Sequence, residues 1–146
     1  MNFTAAMRLG SLEILAALAV FGYIGARMRT GIPVARPKAL TLALAVREGA
    51  SRAQPGEVQL ALNEGTPAIV GRTSQADLPL SDPEVSRRHA RLDLVRGVVY
   101  LADLGSRNGT FLNEKALGDE SIELRPGDDI DVGNTRITVL SMEPSI

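Results

Sequence analysis

The chain has 146 residues, with 16 basic and 17 acidic side chains, a formal net charge of −1 and 45% apolar content, which suits one compact domain plus an appendage. That charge balance excludes the electrostatic footprint of a protein that binds nucleic acid along its length. With no cysteine and a single histidine, His89, the sequence excludes disulfides, thiolate-zinc centres, iron-sulfur clusters and histidine-rich metal sites, and 3% aromatic content calls for an aliphatic core.

In chain order, residues 1–8 end in Arg8 and precede the run "LGSLEILAALAVFGYIGA", residues 9–26, which carries one charge, Glu13. At the helical rise this run would reach about 27 Å, close to the hydrocarbon thickness of a bilayer, so a single transmembrane helix is expected. The rival reading is a cleaved signal peptide, because Ala17-Leu18-Ala19 has a small-x-small pattern. Against it, the apolar run continues through Val20, Phe21, Tyr23 and Ile24. Arg27, Arg29, Arg36 and Lys38 follow the run, so the basic flank, and with it the rest of the chain, is expected on the cytoplasmic side, with residues 1–8 outside. Gly22 and Ala26 have the spacing of close helix pairs, a basis for weak self-association. Residues 27–39, basic and proline-containing, read as a linker.

From residue 40 the apolar period becomes two. Leu42-Leu44-Val46, Val58-Leu60-Leu62, Leu92-Leu94, Ile122-Leu124, Ile130-Val132 and Ile137-Val139 alternate as half-buried strands do, and Val98–Leu104 reads as a central strand. Between them stand Glu48-Gly49, Glu64-Gly65, Arg96-Gly97, Asn108-Gly109, Pro126-Gly127 and Gly133-Asn134, each able to close a tight hairpin through positive φ. No convincing helical period occurs after residue 40, so an antiparallel β-sandwich is expected over residues 40–143. "DDIDVGN", residues 128–134, touches a calcium-loop pattern but lacks its spacing and distal Glu; Asp129 and Asp131 are expected to face water on a strand edge.

Three connections stand out: "IVGR" (69–72), "SRRH" (86–89) within Ser81–Leu92, and "DLGSRNGTFLN" (103–113). In this order, with 14 residues from Arg72 to Ser86 and 19 from His89 to Asn108, they resemble the forkhead-associated (FHA) domain. The resemblance implies an eleven-stranded β-sandwich that binds phosphothreonine segments of partner proteins, with no catalysis and no cofactor. A phosphothreonine carries nearly two negative charges and three acceptor oxygens, which call for a guanidinium fork and neutral donors. By the resemblance, Arg72, Ser86 and Arg87 are the phosphate-contacting residues, Asn108 holds the ligand's main chain, and Arg107 flanks its path. Gly71, His89 and Gly109 support the loops, His89 as a buried ring bonded to the backbone of the serine loop. Arg88 is left to face solvent.

The whole therefore reads as a membrane-anchored adaptor for a protein phosphorylated on threonine by a Ser/Thr kinase. Two other readings stand beside it. One is a phosphate-independent scaffold subunit of a division, envelope-synthesis or secretion complex, in which the phosphate-contacting residues would have no use. The other is a hydrolase built on Ser86, His89 and Asp103, which lacks a nucleophile-elbow sequence.

Overall fold

The computed structural model describes residues 36–49 and 56–145. The expected transmembrane segment 9–26, the N-terminal end 1–8 and most of the linker lie outside these residues. Among the described residues, no helix is long and apolar enough to cross a membrane.

Among the described residues, eleven strands form two sheets. The six-stranded sheet contains β1 (Ala39–Arg47), β2 (Gly56–Asn63), β7 (Thr110–Leu112), β8 (Lys115–Ala116), β10 (Asp129–Val132) and β11 (Thr135–Pro144) in the order β2-β1-β11-β10-β7-β8. The five-stranded sheet contains β3 (Ala68–Gly71), β4 (Leu78–Pro79), β5 (Ala90–Val95), β6 (Val98–Asp103) and β9 (Ile122–Glu123) in the order β4-β3-β5-β6-β9. The period of two decides which side chains meet between the sheets. Leu42 and Leu44 of β1, Leu62 of β2 and Ile137 and Val139 of β11 face Leu92 and Leu94 of β5 and Val99 and Leu101 of β6 across one aliphatic core. The register of β1 against β11 shifts between Ala43 and Leu44, skipping Leu140, and that residue's side chain is exposed.

Three expectations are corrected. The sandwich is not wholly antiparallel, because β3 and β4 pair in parallel, Val70 opposite Leu78 and Gly71 opposite Pro79. Residues 72–77 loop back over a two-residue strand, so no helical crossover is needed. Next, only some of the glycine turns join paired neighbours. Arg96-Gly97 and Gly133-Asn134 close two-residue hairpins between β5 and β6 and between β10 and β11, and Glu48-Gly49 follows β1, which pairs with β2. Glu64-Gly65, Asn108-Gly109 and Pro126-Gly127 instead carry the chain from one sheet to the other. Positive φ lets the chain reverse but does not choose the next partner. A hairpin that the glycine pattern missed, β7 to β8, turns on Asn113 and Glu114, with φ of 48° and 69°.

Finally, β10 is an inner strand between β11 and β7, not an edge. Its acidic residues are engaged rather than free in water: Arg136 donates from Nε to Asp131 at 2.7 Å and from its terminal nitrogen at 2.8 Å, and Thr138 donates to Asp129 at 2.6 Å.

A candidate binding cleft at the seam of the two sheets

The cleft is made by three connections at one end of the sandwich: residues 72–77 after β3, residues 80–89 between β4 and β5, and residues 104–109 between β6 and β7. It begins with an unusually close backbone approach. Gly71 N-terminal to Arg72 lies under the Ser86–His89 segment, and a Cβ at Gly71 would stand 2.2 Å from the carbonyl oxygen of Arg87. Only glycine admits that approach. It brings the Arg72 N–H to the Ser86 carbonyl at 3.0 Å and the His89 N–H to the Val70 carbonyl at 2.9 Å. The exposed Arg72 side chain donates from Nε to the Val85 carbonyl at 3.2 Å, which fixes one edge of the guanidinium and leaves its remaining donors toward the cleft.

His89 is fully buried. Its Nδ1 accepts the Ser86 N–H at 3.1 Å, so the ring proton resides on Nε2, which donates to the Gly109 carbonyl at 2.9 Å. One ring thus fastens the serine loop to the Asn108-Gly109 turn, and Gly109 completes that turn at a φ of 81°. The hydroxyl of Ser86 accepts the Arg107 N–H at 3.0 Å, a second fastening between the same loops. Its own proton has no acceptor among the described residues and is free to donate to a guest.

The hydrolase constellation is not assembled. His89 Nδ1 faces the Ser86 main chain rather than its hydroxyl, and Asp103 is turned to other partners. Asp103 accepts from the Ser106 hydroxyl and the Thr110 hydroxyl, each at 2.6 Å, and from the Ser106 N–H at 2.9 Å. Burial pushes the Asp103 carboxyl up, but these hydrogen bonds outweigh it and hold the group below the usual carboxylate range.

Residues outside the sequence expectation complete the cleft. Asp82, 5% exposed, accepts the Glu84 N–H at 2.9 Å, the Asn134 N–H at 2.6 Å and the Thr135 hydroxyl at 3.0 Å, joining the serine loop to the β10–β11 hairpin. Glu84 holds the Asn108 side chain: Nδ2 donates to the Glu84 carbonyl at 2.9 Å and to its carboxylate at 3.0 Å. Apart from the short Asp82–Glu84 turn, their partners are distant, Asn108 being 24 positions from Glu84 and Thr135 53 from Asp82, so no local pattern announces them. Burial raises Asp82 while its hydrogen bonds to Glu84, Thr135 and Asn134 lower it further, so the folded carboxyl titrates below its ordinary value. The sign follows directly. A depressed folded pKa contributes stability that is present above the unfolded value of about 3.9 and is lost as pH falls through the folded one. Asp82→Asn is therefore expected to lower the melting temperature at pH 7 and to reduce its decline under acid, as a comparison of thermal melts at pH 7 and pH 3 will register.

Arg72, Ser86, Arg87, Arg107 and Asn108 all line one open cleft of about 380 Å³, with Gly71, His89 and Gly109 behind them in supporting positions. Arg88, expected only to face solvent, lines the cleft as well. Four guanidiniums thus stand beside a single carboxylate, Glu84, and among the described residues none of the four makes an ion pair. Such a surface is built for an anion with several acceptor oxygens.

Comparison with known proteins agrees with this architecture. The FHA domain family profile matches residues 68–133. The glycogen accumulation regulator GarA of Mycolicibacterium smegmatis is 38% identical over 71 residues, covering 49% of this chain and 44% of that protein. The oxoglutarate dehydrogenase inhibitor of Corynebacterium efficiens is 37% identical over 71 residues, 49% of each chain. The chain thus spans about half the length of the curated relatives it matches. Among solved structures, one from a study of phosphothreonine-dependent FHA domain interactions is 33% identical, covers 70% of this chain and 96% of that one, and superposes with a TM-score of 0.56. The FhaA FHA domain, solved in complex with the intracellular domain of Rv3910, is 34% identical over 68% of this chain and 98% of its own, with a TM-score of 0.55. The sandwich, the ordered Gly-Arg, Ser-x-x-His and Asn-Gly connections and these relatives together establish that the chain belongs to the FHA domain family.

Proposed function

We propose that the cleft binds a phosphothreonine-bearing segment of another protein and that the chain acts as an adaptor, carrying out no reaction of its own. The observation that carries this is the convergence of Arg72, Arg87 and the Ser86 hydroxyl on one open surface where, among the described residues, no guanidinium is tied up in an ion pair. Arg72 and Arg87 supply planar forks for the phosphate oxygens, Ser86 donates its free proton, and Asn108 meets the ligand's main chain. Arg107 borders the path of the flanking residues. A solved relative named for phosphothreonine-dependent interactions supports the same chemistry.

Tethering to a membrane through residues 9–26, with the sandwich on the cytoplasmic side, forms the second part of the proposal. It is supported by the apolar run and the basic residues that follow it. A tether concentrates the adaptor near membrane-bound partners, so a micromolar site, about 8 kcal/mol, would be enough for recruitment.

Calorimetric titration of the full chain with matched phosphothreonine, phosphoserine and unmodified peptides tests the binding. The phosphothreonine peptide is expected to bind in the micromolar range. Phosphoserine should bind about fivefold more weakly for want of a methyl group worth about 1 kcal/mol, and the unmodified peptide not measurably. Ser86→Ala should weaken phosphopeptide binding about tenfold through one lost charge-assisted bond. Equal binding of the unmodified peptide would favour the phosphate-independent scaffold instead.

A further inference from the structure

Asn108 has four hydrogen-bonding positions to offer, two amide protons and two lone pairs on Oδ1. In this protein both protons are already engaged, one to the Glu84 carbonyl at 2.9 Å and one to the Glu84 carboxylate at 3.0 Å. The orientation of the amide is set by chemistry, because rotating it by half a turn would bring Oδ1 against two acceptors. Oδ1 has no donor among the described residues. Glu84 is itself held in place. Its N–H is bonded to Asp82 at 2.9 Å, and Gly133 packs so closely that a Cβ there would stand 3.0 Å from Glu84. The Glu84 carboxylate lies beside four arginines yet makes no ion pair among the described residues, its hydrogen bond going to Asn108.

We infer that Glu84 is a positioning residue that turns Asn108 into a pure acceptor, so that the cleft reads one main-chain N–H of its ligand and rejects proline at that position. The inference rests on the phosphothreonine reading above and adds a class of substrate to it. A phosphorylated segment that places a proline nitrogen opposite Asn108 has nothing to donate and leaves Oδ1 unpaired. Kinases that require proline at that flanking position therefore make poor ligands for this protein, and kinases that phosphorylate threonine in proline-free contexts make good ones. The long-range effect of the Glu84 charge on the phosphate is a separate matter. It shifts the affinity for every phosphopeptide together and cancels in a ratio between two ligands on the same protein.

The test is a scan of one phosphothreonine peptide against the full chain. At each flanking position in turn, the residue is replaced by proline or its N–H by an ester oxygen, and the penalty is the ratio of affinities to the parent peptide. One position is expected to show a penalty of about fivefold or more with both replacements. That penalty should vanish in Asn108→Ala, shrink in Glu84→Ala, and persist in Glu84→Gln, whose side-chain carbonyl still accepts from Nδ2. A penalty that is the same in wild type and Asn108→Ala, or unchanged in Glu84→Ala, overturns the inference while leaving phosphopeptide binding intact. A flat scan on a peptide that binds does the same. If no peptide binds in a phosphate-dependent way, the proposed function falls and this inference falls with it.

Discussion

Arg72→Ala is expected to lower affinity for a phosphothreonine peptide by about a hundredfold, or about 3 kcal/mol, with almost no change in melting temperature. The two effects separate because of where the side chain sits. Arg72 is exposed and gives the fold a single hydrogen bond from Nε to the Val85 carbonyl, while the backbone bond from its N–H to Ser86 survives the substitution. Toward a phosphate, the same side chain brings two or more charge-assisted donors in a plane, the strongest kind of hydrogen bond available to it. Arg72→Lys should recover only part of the loss, since an ammonium keeps the charge without the fork. Titration calorimetry paired with a thermal melt on each variant checks both halves. Retained affinity in Arg72→Ala would remove this residue from the ligand site.

Gly71→Ala is expected to be the most damaging single-methyl change near the cleft, costing about 3 kcal/mol of stability and abolishing measurable phosphopeptide binding. The added carbon would lie 2.2 Å from the Arg87 oxygen and 2.8 Å from its carbonyl carbon. Both are main-chain atoms, so no rotamer change relieves the clash, and the Ser86–His89 segment must lift away from β3. That movement would break the Arg72-to-Ser86 and His89-to-Val70 backbone bonds. For a domain of this size the loss corresponds to a drop of about 12–24 °C in melting temperature. Gly105→Ala provides the contrast. Its φ of 68° makes alanine unfavourable, but a Cβ there meets nothing within 4 Å, so a cost of about 1 kcal/mol with binding preserved is expected. Comparable damage from both substitutions would show that backbone preference, not the close approach at Gly71, dominates.

The strands were legible where one face of a sheet is buried, because burial imposes the period of two directly on the sequence. Leu42 and Leu44, Leu60 and Leu62, Leu92 and Leu94, and Ile137 and Val139 alternate in the chain and are buried in the core. The pairings were less legible. β4 and β8 have two residues each, too few for any period, and the Asn113-Glu114 turn uses positive φ without glycine. Likewise, Asn108-Gly109 has the composition of a hairpin turn yet crosses between layers, a fact decided by β7 pairing with β10.

At the cleft, Arg72, Ser86, Asn108 and their neighbours could be found because the order of three short motifs carries a family likeness. Asp82, Glu84 and the bracing of the turn by Asp103, which the sequence offered only as a hydrolase acid, through Ser106 and Thr110 could not. Their significance comes from contacts made after folding, such as Asp82 with Thr135, 53 positions apart. Ser106 shows the same limit at short range: its hydroxyl looks like one of several candidate donors in the turn until Asp103 is seen to accept it.

The placement of the Asn108 turn has a mechanical corollary. Ser86 is carried by a loop within one layer, whereas the chain through Asn108 is on its way to the other. Under the proposed function, a guest held by both would bridge the seam, so separating the layers at this end would cost its contacts to one of them. Occupancy and stability are thereby linked by mass action, so a saturating phosphothreonine peptide is expected to raise the melting temperature of this domain.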